Sequence, residues 1–175
     1  MTANTLFDHS LTFEDARELI KNGTDVNEVN GSGETPLFYI EDLLIAQLLI
    51  MHGANVNHPN IYKMTPIFCQ ENIDICQLLI NHGADINTRD NHGLTTLDGQ
   101  DYVNNAKYLI KYGALPGVIV TYKKYRDFFS EEQQKAFDSF LLLTNDDEMF
   151  FQMCLAYQND LKNNVKIYVK DMEIL

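Results

Sequence analysis

The sequence predicts an all-α solenoid of helix–turn–helix units followed by a mainly helical C-terminal cap, and three observations carry that prediction. Glycines recur at Gly23, Gly53, Gly83 and Gly113, 30 residues apart each time. A threonine stands 18 residues before each of them, at Thr5, Thr35, Thr65 and Thr95. The segments ending on the glycines read ARELIKNG, AQLLIMHG, CQLLINHG and AKYLIKYG. Self-similarity at such a period marks stacked supersecondary units, each of which buries its apolar face only against a neighbour.

Each unit opens on its threonine, expected to cap a first helix by accepting a bond from an orphan backbone N–H. In Thr35-Pro36-Leu37 and Thr65-Pro66-Ile67 the proline fits the first helical position, where no donor is needed. Thr12, Asp42 and Asn72, again 30 apart, stand where the N-cap of a second helix belongs. That helix is amphipathic: Leu43, Ala46, Leu49 and Ile50 form one stripe of a 3.6-residue period. Ile73, Cys76, Leu79 and Ile80 repeat it, as do Val103, Ala106, Leu109 and Ile110. The small residue of each copy (Ala16, Ala46, Cys76, Ala106) lets neighbouring helices approach closely. The glycine then supplies the left-handed conformation that ends the helix. TDVN, ANVN and ADIN follow the first three glycines, whereas the fourth continues only as Ala114-Leu115-Pro116.

These motifs resemble the ankyrin repeat. The family's threonine-proline-leucine-histidine opening corresponds to Thr35-Pro36-Leu37-Phe38 and Thr65-Pro66-Ile67-Phe68, and its closing motif to Leu79-Ile80-Asn81-His82-Gly83-Ala84-Asp85-Ile86-Asn87. The resemblance covers roughly residues 5–116. It implies an ankyrin-repeat solenoid with β-turn fingers, a repeat domain over 1–117 with units near 5–34, 35–64, 65–94 and 95–117. The repeat is 30 residues where the family has about 33. The 18-residue Thr-to-Gly spacing places the shortening in the first helix or the turn after it. That helix is left at about one and a half turns. Asp8, Phe38, Phe68 and Asp98 replace the motif's histidine and remove the bond it would donate, while Leu6 and Thr96 replace its proline.

After Ala114 the period is lost, and 118–175 forms the expected cap region. Residues 115–175 hold 10 of the 19 Phe and Tyr, a load that a disordered tail would not carry. Ser130-Glu131-Glu132-Gln133 is a capping-box opening to a helix with Phe137, Phe140 and Leu141 on one face. Asn145-Asp146-Asp147-Glu148 opens another, with Met149, Phe150, Met153, Cys154 and Tyr157 at helical spacing. Val165, Ile167 and Val169 alternate with polar or amphipathic residues, a signal for a short strand. The tail either only covers the solenoid's last apolar face or also contacts a partner.

Composition narrows the function. The net charge of −12 disfavours phosphate backbones and anionic lipid surfaces, so neither nucleic acid nor membrane is an expected partner. No apolar run reaches the roughly 18 residues a membrane span needs. The N-terminus lacks a basic region followed by an apolar run, so no secretory signal is expected. Three cysteines without pairing or CxxC spacing fit free thiols in a reducing cytoplasm and no zinc site. No catalytic, phosphate-binding or dinucleotide motif occurs, which points away from an enzyme and from any cofactor. His52 and His82 stand in the last turn of their helices, where a structural role is expected. Lys123-Lys124-Tyr125-Arg126 reads as a solvated basic face.

The family resemblance places recognition on the finger tips and the concave first helices. The fingers offer Asn30, Ser32, Asn60, Ile61, Tyr62, Lys63, Asp90, Asn91 and His92. The concave side offers Phe38, Tyr39, Glu41, Phe68, Glu71, Asp98 and Asp101. Glu41, Glu71 and Asp101 recur at 30, a row that is either simply solvated beside helix N-termini or an acidic docking strip. The expected partner is another protein with a basic surface. Size, acidity and missing catalytic residues fit an inhibitor of a toxic protein, and stand-alone ankyrin proteins of this kind resemble bacterial immunity proteins or antitoxins. An adaptor or effector scaffold, or an enzyme using the tail, are the alternatives.

Overall fold

Backbone hydrogen bonding at the glycines sets the units apart. Gly53, with φ +89°, donates to the Ile50 carbonyl at 3.0 Å, and Ala54 N–H reaches back to Leu49 at 3.0 Å. This paired ending needs a residue at positive φ, which glycine adopts without a Cβ clash. Gly23, Gly83 and Gly113 repeat it at +91°, +85° and +92°.

The computed structural model describes residues 5–8, 10–99 and 103–163. Its helices are α1 (Phe13–Lys21), α2 (Leu43–Met51), α3 (Ile73–Asn81), α4 (Val103–Lys111), α5 (Ile119–Tyr125), α6 (Glu131–Leu141) and α7 (Asp147–Asn163). No strand occurs among the described residues; the strand expected at 165–169 lies outside them. The chain divides into two compact units, Met1–His92 and Gly93–Leu175.

The N-caps of the second helices are as the residues predict. Thr12 makes a capping box with Asp15, Asp42 accepts from the N–H of Leu44 and Ile45, and Asn72 accepts from Asp74. The first helices differ from expectation. They are single 3₁₀ turns, Pro36–Phe38 and Pro66–Cys69, and the matching stretches of the first and fourth repeats are plain turns. The shortened repeat leaves room only for i→i+3 bonds, such as Phe38 N–H to Thr35 C=O at 3.0 Å. That bond also explains why Thr35 and Thr65 do not cap. The backbone carbonyl of the threonine already takes the N–H its hydroxyl would serve, and both hydroxyls are buried without a hydrogen-bond partner.

In the first unit α2 packs against α1 on one side and α3 on the other, and the two 3₁₀ turns pack together. Leu37, Leu49, Ile67, Ile75 and Leu79 are wholly buried, with Ala16 and Ala46 at the helix contacts. Ile45 and Ile75 fall outside the single stripes read from the sequence, yet are buried. A helix with neighbours on several sides has more than one inward face.

Asparagine side chains clasp consecutive repeats. Asn27 donates to the Gly53 carbonyl at 2.9 Å and accepts from Asn55 N–H at 2.8 Å. Asn57 does the same to Gly83 and Asp85, at 2.8 Å in both bonds. Each clasp fills an acceptor and a donor that the helix ending leaves open.

The fingers are turns held by their own side chains. Asn30 Oδ1 accepts from Ser32 and Glu34 N–H, and Asn60 Oδ1 from Tyr62 and Met64 N–H. Successive fingers are tied by Ile61 N–H to Ser32 C=O at 3.1 Å and Asn91 N–H to Tyr62 C=O at 2.9 Å. Lys63 sits at φ +63°, in register with Gly33 at +73° and Gly93 at +78°. The left-handed conformation costs a non-glycine residue about 1–2 kcal/mol, less what glycine loses by its freer unfolded chain. Lys63→Gly is therefore expected to stabilise the chain by about 0.5–1 kcal/mol in denaturant titration; an unchanged or lower midpoint contradicts this.

In the second unit α6 packs on α7. The Ser130–Gln133 capping box forms as predicted. Phe137, Phe140, Phe150, Phe151, Met153 and Cys154 are buried, whereas Met149, assigned to the same face from spacing, is exposed. Ile119 and Val120 open α5, with Val118 at its N-cap. Arg126 is not part of a solvated basic face. Its guanidinium engages both oxygens of Asp138 and also Gln134 Oε1, and the bond to Arg126 holds the Asp138 carboxyl below its ordinary value against the opposing effect of burial. Gln158 of α7 donates to the Gly113 carbonyl at 2.7 Å, satisfying the end of α4 as asparagines do in the first unit.

Candidate protein-binding surface

The first unit carries 13 Asp and Glu against 4 Lys and Arg over residues 1–92, a net −9. Its 3₁₀ turns and the loops leading into α2 and α3 enclose an open cleft of about 580 Å³, lined by Phe38, Tyr39, Ile40, Glu41, Cys69, Gln70, Glu71 and Asn72. A smaller recess of about 190 Å³ lies on the other side of Tyr39 and Glu41, against Asp8 and Leu11. Residues 39–41 therefore form a ridge with a hollow on each flank. The sequence-predicted Phe38, Tyr39, Glu41 and Glu71 are brought together here.

The ridge is held from behind. Glu34 accepts hydrogen bonds from the Tyr39 hydroxyl, from Asn30 Nδ2 at 3.1 Å and from Asn60 Nδ2 at 3.1 Å. Burial works against charge on Glu34, but these donors together hold its carboxyl below its ordinary value. Phe7 meets the Tyr39 ring edge-on at 6.1 Å. Tyr39 is thus an aromatic fixed at both ends of its ring, with 37% of its surface still exposed.

Across the cleft, Gln70 is 5% exposed and donates from Nε2 to the carbonyls of Ile40 (3.2 Å) and Leu37 (3.4 Å). Asn72 Nδ2 bonds the Glu41 carbonyl at 3.2 Å. These bonds fix the spacing of the two turns. The Cys69 thiol is pushed up by burial first and by the Glu34 charge second, which keeps it protonated. Among the described residues the Glu41 carboxylate has no ion-pair partner.

On the fingers, Ile61 and Tyr62 are 59% and 50% exposed, and Lys63, Asn91 and His92 are exposed beside them. Other expected contacts sit elsewhere. Phe38 and Asn60 are both 5% exposed: the first lines the cleft with little of its surface open and the second organises its finger and Glu34. Asn30, Asp90 and Ser32 are half-buried, with Asn30 and Asp90 bonding turn N–H groups, and Phe68 is half-buried. Asp98 belongs to the second unit, where its Oδ2 accepts from Thr95 and Gly117. Asp101 lies outside the described residues. Gln70 and Asn72 were not singled out for the surface by sequence; Gln70 shares the register of Ile40, and that break in the apolar pattern is the one available signal.

Residues 9–90 match the family of ankyrin repeats (3 copies). That span carries ankyrin repeats, and the helices of the described residues agree with the all-α architecture of such repeats. No curated protein matches the sequence significantly. Ankyrin repeats are modules of protein–protein interaction and are generally non-catalytic. Among the described residues no helix is long and apolar enough to cross a membrane.

Proposed function

We propose that the fingers and the cleft of the first unit bind a basic surface of another protein and neutralise that protein, as a bacterial immunity protein or antitoxin does. The observation that carries the reading is the cleft itself: two exposed carboxylates, Glu41 and Glu71, stand around a fixed aromatic in a unit of net −9. Such a field speeds the encounter with a basic partner and selects against acidic ones. Ile61 and Tyr62 supply apolar contact at the finger tip, where an exposed tyrosine is a frequent anchor. Three free thiols, two of them buried, suit action in a reducing cytoplasm. The region 118–175 acts as a cap closing a repeat domain of 1–117, a reading supported by the Gln158 bond to Gly113.

The test is capture of the partner from the native source, with the wild-type chain beside the double variant Glu41→Lys, Glu71→Lys. Each reversal is expected to weaken binding on the order of tenfold at low salt, with a shallower salt dependence left in the variant. Equal capture by both chains contradicts the acidic-surface reading. A captured partner whose activity is untouched by binding contradicts neutralisation and identifies a scaffold instead.

A further inference from the structure

The cleft between the second and third repeats holds more than a pair of acidic residues. Gln70 is more than nine-tenths buried, and its Nε2 is committed to two backbone carbonyls of the preceding repeat. Its Oε1 has no hydrogen-bond partner among the described residues, and the residue lines the cleft. That oxygen keeps contact with solvent rather than being sealed in the core, so it is an acceptor that a donor entering the cleft can reach. Glu41 and Glu71 add anionic acceptors around the same space, and Tyr39 presents a ring whose orientation is locked by Glu34 and Phe7.

Resting on the acidic-surface reading above, we infer that this cleft is a slot for one arginine side chain of the partner. The guanidinium would lie against the Tyr39 ring, with the Gln70 oxygen and the Glu41 and Glu71 carboxylates accepting its N–H groups. The chemistry distinguishes arginine from other ligands. A planar cation with five donors in a fork stacks on an aromatic face and serves several acceptors at once, whereas an ammonium is a compact point charge that keeps its water more tightly. An anionic group would be repelled and has no donor to offer, and a neutral donor would leave the two carboxylates without a counter-charge. The cleft volume of about 580 Å³ admits the side chain with space left for water.

The probe is acetyl-Gly-Gly-Arg-Gly-Gly-amide, with its lysine and citrulline counterparts, titrated into the full-length chain and followed by amide NMR shifts at low salt. Citrulline keeps the shape and removes the charge. The arginine peptide is expected to shift the Gln70 side-chain amide and the backbone of 39–41 and 69–72. It should bind several-fold tighter than the lysine peptide and at least tenfold tighter than the citrulline one. Glu41→Gln and Glu71→Gln, both at exposed positions, should each weaken it several-fold. Arginine and lysine peptides binding equally, shifts mapping elsewhere, or no binding at millimolar peptide would each overturn the slot. A partner capture that still falls with the Lys substitutions, beside any of those peptide results, leaves the acidic surface standing without the slot. Loss of both effects removes both.

Discussion

Gly117→Ala is expected to destabilise the second unit by about 3 kcal/mol or more, one of the two largest effects of a single substitution here. A Cβ at this position would lie 2.7 Å from the Gly93 carbonyl oxygen and 2.9 Å from the Thr95 nitrogen, and closer still to Asp98 Oδ2. Two of those three atoms are backbone and cannot rotate away. The third is already engaged: Asp98 Oδ2 accepts from Thr95 N–H at 2.6 Å, from the Thr95 hydroxyl at 2.9 Å and from Gly117 N–H at 2.9 Å. Admitting a methyl group means breaking this knot, in which the Asp98 carboxylate joins the start of the fourth repeat to the segment after α4. The other oxygen of Asp98 is buried without a partner, so the side chain has nowhere better to turn. In a chain of this size a loss of this magnitude lowers the thermal midpoint by roughly 6–12 °C. Gly99→Ala is the control. Its Cβ would meet only the Thr96 carbonyl, at 3.9 Å, and its midpoint should stay within a degree or two. Equal midpoints for the two variants would show that the close approach at Gly117 does not constrain the fold.

Phe137→Ala is expected to cost about 4 kcal/mol, with loss of near-ultraviolet circular dichroism from the aromatic cluster. Phe137 is wholly buried, and the rings of Tyr122, Phe129, Phe140, Phe150 and Tyr157 surround it at centroid distances of 5.5, 5.4, 6.0, 6.3 and 5.9 Å. Removing the central ring leaves a cavity whose walls come from α5, α6 and α7, and rigid rings collapse into such a space poorly. Phe137→Leu fills much of the volume and should cost about half as much. An unfolding free energy for Phe137→Ala within about 1 kcal/mol of wild type would mean that the cluster packs differently from the arrangement described.

The repeats are legible in the sequence because each has to solve the same local problems with the same residue types. Only glycine sits easily at the positive φ that ends α2, only a small residue fits between adjacent helices at Ala46 or Cys76, and Asp42 or Asn72 must serve the first N–H groups of its helix. What the sequence conceals depends on distance or on competition. Thr35 looks like a cap, but its own carbonyl takes the N–H first once the turn tightens to 3₁₀. Ile45 looks peripheral to a single stripe until a second packing face is known. Arg126 reads as part of a basic run because its partner Asp138 is on another helix. At the candidate surface, the family resemblance points to Tyr39, and the 30-residue register links Glu41 with Glu71. Gln70 escapes because its role is defined by the carbonyls of Leu37 and Ile40, which no motif mentions. The burial of Phe38 and Asn60 is hidden for the opposite reason: the register fixes which turn they occupy, but not whether that side of the turn faces inward.

The asparagine clasps have an evolutionary corollary. Asn27 and Asn57 each reach forward into the next copy, so the first two 30-residue segments each carry the plug for their successor. Duplicating or deleting one whole segment keeps both halves of each joint in the chain. An array wired in this manner can change length, and with it the reach of its binding face, without inventing a new junction.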